Sequence, residues 1–188
     1  MATANYVTAA KPKTGGAVYV ADTSATLPTN ATTDIDKAFV CLGYISEDGL
    51  TNSSSISTET IKAWGGNDVL VVNQGREDTF AFTLIEGLNE SVLAFVFGDD
   101  NVSGTLDTGI TVNVNSDDLP DKAVVIDMIM RNDVLKRICI PQASITEVGE
   151  VPYTDSDTVG YEVTLTAIAD SDGNNHYEYL SSAATTEE

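Results

Sequence analysis

Two stretches of this chain alternate at the two-residue period that marks a half-buried β-strand. In residues 79–85, Phe80, Phe82 and Leu84 fall on one side and Thr79, Ala81 and Thr83 on the other. In residues 160–169, Tyr161, Val163, Leu165 and Ala167 oppose Glu162, Thr164 and Thr166. Each such strand has one apolar face that needs a cover, so the pattern demands layered β structure. A hairpin follows the same logic. Residues 123–130 and 134–140 are apolar runs joined by Arg131-Asn132-Asp133, residue types that tolerate turn geometry. Pro141 ends the regular pairing, and residues 143–148 continue the strand past a bulge. Further strands are expected at 17–21, 37–46, 68–73 and 177–180, with weak strand character in 99–119 and a loop at 23–36.

One helix is predicted, over residues 89–97. Asn89 suits the N-cap, Glu90 suits the positive end of the dipole, and Gly98 can take the backbone conformation that stops it. Val92, Phe95 and Val96 share a face, which directs the helix onto a sheet. There is no internal repeat and no second block of composition. The expectation is a single β-rich domain over 16–180, with polar, mobile arms at 1–15 and 181–188.

Residues 47–66 fit none of these patterns and read as a long loop. They begin with Asp48-Gly49, contain Asn52-Ser53-Ser54-Ser55 and end in Trp64-Gly65-Gly66. Loops of this length are uncommon in a compact domain and are usually functional or disordered. This one also carries Leu50, Ile56, Ile61 and the chain's single Trp, Trp64. Apolar side chains on such a segment imply that something covers them.

Charge narrows the function. Nine Lys and Arg stand against 29 Asp and Glu, a formal charge of −20 in 188 residues. Phosphate contacts need clustered cations, so a conventional nucleic-acid surface is excluded and an anionic membrane surface disfavoured. The opening residues 1–6 lack the basic start and apolar core of a secretory signal, and no run of about 18 apolar residues occurs. Synthesis in the cytoplasm is the expectation. Cys41 and Cys139 lie within apolar runs and read as free, buried residues.

Catalytic inventory is thin. A nucleophile–histidine site would have to use His176, the only histidine, which reads as a turn or edge residue. Twenty-nine acids make chance carboxylate pairs uninformative, and the Gly15-Gly16 and Gly65-Gly66 pairs lack the lysine and helix of a phosphate loop. Residues 170–174, Asp-Ser-Asp-Gly-Asn, are superficially like a calcium loop. Their glycine comes fourth rather than sixth, so a β-turn is the better reading. No enzyme, metal or cofactor is expected.

An ordered set of segments carries a resemblance. Ala63-Trp64-Gly65-Gly66 follows the long segment, and a Phe-x-Phe-x-Leu strand leads into Glu86-Gly87-Leu88-Asn89-Glu90-Ser91-Val92-Leu93, closed by Phe97-Gly98. Then come Arg137-Ile138-Cys139-Ile140-Pro141-Gln142-Ala143, Glu147-Val148-Gly149-Glu150 and Gly160-Tyr161-Glu162-Val163-Thr164-Leu165-Thr166-Ala167. In order and spacing this resembles the major tail proteins, or tail tube proteins, of siphophages over about residues 16–180.

The resemblance implies two packed antiparallel sheets, as a sandwich or half-barrel, with one flanking helix. It implies hexameric rings, a sheet of each subunit joining a barrel around a channel, and rings stacked into the tube that carries DNA from capsid to cell. The partners would be the chain itself, tail-tip, tape-measure, chaperone and terminator proteins, and DNA that passes without specific binding. The protein would be made in the host cytoplasm and end in the virion tail. On this reading Leu50, Ile56, Ile61 and Trp64 are interface candidates, with Trp64 in its own core as the alternative. Asp127 and Glu162, as solvent-side acids on strands, are channel-lining candidates, and the hairpin 123–140 is either barrel wall or sandwich core. A β-sandwich binding or decoration module, of a phage particle or a cell surface, is the competing function.

Overall fold

The computed structural model describes residues 2–13 and 15–182. The described residues are mainly β, with two antiparallel sheets and a single α-helix among them. Its elements are β1 (Ala10–Pro12), β2 (Val18–Asp22), β3 (Val40–Cys41), β4 (Ile45–Lys62), β5 (Asp68–Leu84), α1 (Glu90–Phe97), β6 (Val102–Ser103), β7 (Thr111–Val112), β8 (Lys122–Met130), β9 (Val134–Val148), β10 (Tyr161–Ile168) and β11 (Tyr177–Ser182). The large sheet runs β3-β2-β8-β9-β10-β5-β4, with β1 added to β8 and β11 to β9. The second sheet is the small β6–β7 ribbon.

The large sheet curls into a half-barrel because the inward residues of its two halves share one core. Phe80, Phe82 and Leu84 of β5 and Val163 and Leu165 of β10 meet Val18, Val124, Ile126, Ile138 and Ile140 from β2, β8 and β9. Helix α1 closes this core with Val92, Leu93, Phe95 and Val96. Asn89 caps it, its side chain accepting the Ser91 N–H, and Gly98 ends it at φ 96°. The bend of the sheet falls at Pro141: β8 pairs Val124 with Ile140 but Lys122 with Ala143, so β9 bulges at residues 141–142.

The hairpin β8–β9 is sandwich core, since both of its faces are covered. The outer side, with Val125 and Cys139, packs on Phe39, Leu27 and Ile35 of the long 23–39 segment and on Tyr177 and Tyr179. That segment is fastened by one buried side chain. Arg137, 1% exposed, pairs with Asp127 through Nε–Oδ1 at 2.5 Å and a second N–H–Oδ2 bond at 2.8 Å. Its remaining donor reaches the carbonyls of Asn30 and Thr33 at 3.1 and 2.6 Å. The Asp127 carboxylate pushes Arg137 further above its usual pKa against the opposing effect of burial, so the guanidinium stays charged.

Several expectations change here. Asp127 is not a solvent-side acid: it is 3% exposed and consumed by Arg137, with Lys13 at 3.4 Å. The strand expected at 37–46 is broken, because Gly43 turns at φ 75° where a Cβ would collide with the Glu86 carboxylate. The N-terminal arm is partly docked, since β1 pairs with Met128–Met130 of β8. The C-terminal arm starts inside β11 at Ser181 and Ser182, and its residues 183–188 lie outside the described residues. Cys139 is free and buried, its thiol pushed up to about 12 by desolvation, whereas Cys41 is free and only half-buried.

Candidate functional site

The segment expected as a long loop is a β-hairpin arm. β4 and β5 pair from Ile45↔Leu84 at the body to Lys62↔Asp68 at the tip. Beyond Thr51 every residue up to Val71 is exposed, so about 40 Å of ribbon extends from the body at about 3.3 Å per residue. The tip is a turn in which the Gly66 N–H bonds the Ala63 carbonyl, and the positive φ of Gly65 (112°) and Gly66 (92°) makes glycine the fitting residue there. Midway, the register shifts between Ser57 and Thr58 and leaves Gln74 unpaired beside Gly75. This bulge divides an inner half that is polar apart from Ile56 from a more apolar outer half.

The outer half holds most of the arm's apolar residues. Trp64 is 107% exposed at the turn, with no contact to the core, so the alternative placing of Trp64 in its own subunit's interior does not hold. Ile56 and Ile61 are exposed, and so are Val69, Leu70 and Val71 of the returning strand, which the sequence places in the strand expected at 68–73 but not among the interface candidates. Leu50 differs: it sits at the root, half-buried against the chain's own core. A two-stranded ribbon with both faces in water is marginal. Among the described residues the outer edge of β4 is also unpaired, since β4 is the terminal strand of its sheet. Both observations call for a covering partner.

The root is held by a buried carboxylate. Asp78, 2% exposed, accepts from Arg76 Nε at 3.2 Å and from the Asn175 amide at 2.8 Å. His176 lies beside it, Nδ1 3.8 Å from Asp78 Oδ2, with its ring edge-on to Phe80. Burial alone would raise the Asp78 pKa, but hydrogen bonds from Ser54, Asn175 and Arg76, with the Arg76 charge, outweigh it and hold the carboxyl below the usual range. A depressed folded pKa adds stability above the unfolded value near 3.9, and that stability disappears as pH falls through the folded value. Amide hydrogen exchange at Ser54 and Asp78 should therefore accelerate relative to the core below about pH 4. An Asp78→Asn variant should lose that pH response, and an unchanged response there would remove Asp78 as its source.

The polar face of the body continues onto the arm. Across the strands Glu162 faces Thr83, Thr166 faces Thr79, Thr79 faces Ser53, and Glu77 faces Ser55. Glu162 is exposed on this face, as the alternation of β10 predicts. Thr146 and Thr166 share a hydroxyl contact at 3.0 Å, so the face is a sheet of small hydroxyls with scattered acids. Chemistry beyond this is sparse. Among the described residues no cluster of three or more His, Cys, Asp or Glu could hold a metal. Residues 170–174 form a turn closed by Asp170, whose carboxylate accepts the Asp172 and Asn174 N–H groups.

Among these residues, no helix is long and apolar enough to cross a membrane. A comparison with curated proteins finds no match. A family model described as phage tail tube protein matches residues 2–188.

Proposed function

Because the chain belongs to the phage tail tube protein family, we propose that it polymerises into stacked rings, six copies to a ring, whose channel conducts DNA from capsid to host cell. The family is structural and builds the tube of the virion tail by self-assembly with other tail proteins, so no catalytic step is involved. The observation that carries this reading is the arm: about 40 Å of ribbon whose apolar tip, Ile61 and Trp64 included, has no cover within the subunit. Ile56, Ile61 and Trp64 are the interface residues on this reading, in contact with the next copy. A decoration module that binds one target has no need of such an arm.

The polar face supports the conducting role. A wall of Ser and Thr hydroxyls with Glu77, Glu147 and Glu162 repels phosphates, whereas cations would hold them through counterion release. Strand-to-strand closure between copies would also use the free edge of β4 and remove an aggregation hazard. Siphophage tail-tip, tape-measure, chaperone and terminator proteins are the partners this assembly requires. The direct test is electron microscopy of the concentrated, purified chain, alone and with tail-tip proteins. Hollow tubes or rings are the expected result, and dispersed particles under both conditions would reject it.

A further inference from the structure

Strand register decides which way the arm's apolar side chains point. From Leu50 outward β4 alternates without interruption, because the extra residues at the two outer register shifts, Gln74 and Val69, both lie in β5. Its even-numbered residues therefore share the face of Leu50, which opposes Phe82 and packs on the core. Its odd-numbered residues share the hydroxyl face of Ser53 and Ser55. Ile56 thus lies on the core-side face and Ile61 on the hydroxyl face. Cross-strand partners extend both sets: Leu70 opposes Ile61 on the hydroxyl face, and Val71 opposes Thr60 on the core-side face. All four apolar residues are exposed, so the subunit covers neither face.

The hydroxyl face also changes character at the bulge. Inside it the cross-strand pairs are Ser53–Thr79 and Ser55–Glu77, and beyond it they are Glu59–Val72 and Ile61–Leu70. The chemistry that suits a channel wall ends there, and the rest of the arm is apolar on both sides. Area argues for covering both. A ribbon about 40 Å long, made of two strands about 4.8 Å apart, offers about 400 Å² on each face. A stable contact buries about 800 Å² on each partner, which the arm reaches only with both faces covered. Copies of this chain are the occupants at hand, since the family builds its tube by self-assembly.

We propose that the arm from Ile56 to its tip is clamped between two copies of this chain, one on the Ile61–Leu70 face and the other on the Ile56–Val71 face. The channel wall ends at the bulge, and a single arm joins three subunits. The clamp rests on the reading of the arm as the assembly contact and gives that contact its two sides.

Lesions on one face at a time test it. Ile61→Thr with Leu70→Thr, and separately Ile56→Thr with Val71→Thr, keep β-prone side chains at exposed positions, so the unfolding midpoint stays. Each pair raises the concentration for half-maximal polymerisation about tenfold. A pair that assembles like the unaltered chain leaves its face without an occupant and overturns the clamp, while the arm reading stands. Crosslinking counts the neighbours. Subunits with photo-crosslinking benzophenone side chains in place of both Ile56 and Ile61 are diluted into unaltered chain, assembled and irradiated. Covalent trimers are expected, with dimers from each single replacement. Dimers alone from the double replacement mean that one copy grips both faces, and they overturn the clamp. Failure of the unaltered chain to form tubes with tail-tip proteins would remove both readings.

Discussion

Replacing Arg137 with methionine should destabilise the subunit by about 3–5 kcal/mol, the usual cost of breaking a buried ion pair from one side. Three losses combine. The Asp127 carboxylate stays buried at 3% exposure with only Lys13, 3.4 Å away, to balance it. The Asn30 and Thr33 carbonyls lose their donor, and the 23–39 segment loses its fastening over the outer core. Methionine keeps most of the aliphatic bulk, so the effect isolates charge and hydrogen bonding from cavity formation. Urea unfolding reads it as a lower midpoint at unchanged slope. Arg137→Met combined with Asp127→Leu should recover much of the loss, because a well-packed apolar pair carries no desolvation cost. A single-variant loss below about 1 kcal/mol would mean that the ion pair does not fasten the segment.

The same pair shows what a sequence reading of this chain can reach. Asp127 interrupts an apolar strand, and an isolated acid there reads as solvent-facing. Yet Asp127 and Arg137 lie equally far from Asn132, the centre of the 131–133 turn, so hairpin register alone sets them opposite each other. A buried ion pair was legible once both strands were placed. Helix α1 and the inward rows of β5 and β10 were legible from periodicity, because each buries one face against the core.

The arm was legible as strand only in its returning half, at 68–73, and its outgoing strand β4 was not. Both its faces meet water in the subunit, so nothing selects alternation, and Asn52-Ser53-Ser54-Ser55 has the composition of a loop. Its signal lay in the combination of Ile56 and Ile61 before Gly65-Gly66 with Val69, Leu70 and Val71 after it, two β-prone runs about a glycine turn. The strand expected at 37–46 failed for the opposite reason. Phe39 and Leu42 are buried as expected of a strand, but as anchors of an irregular segment that Gly43 diverts around Glu86.

Shortening the arm should separate folding from assembly more completely than any single substitution. Ser55 and Glu77 face each other across the ribbon, so an Asn-Gly turn in place of residues 56–76 closes a shorter hairpin in register. Little core packing is lost, because the removed residues are exposed apart from Val72, which is half-buried. Asp78 keeps Asn175 as a partner while losing Arg76, so the unfolding midpoint should fall only slightly. Polymerisation, by contrast, should be abolished, since the variant lacks Ile56, Ile61 and Trp64 together. Trp64→Ala is the graded version. Its truncation in a desolvated contact is worth about 2 kcal/mol, which raises the concentration for half-maximal polymerisation about thirtyfold at unchanged subunit stability. Sedimentation and microscopy of the two variants beside the unaltered chain read both effects. Normal tubes from the shortened protein would show that assembly runs through the body alone, and the exposure of Trp64 would then need another occupant.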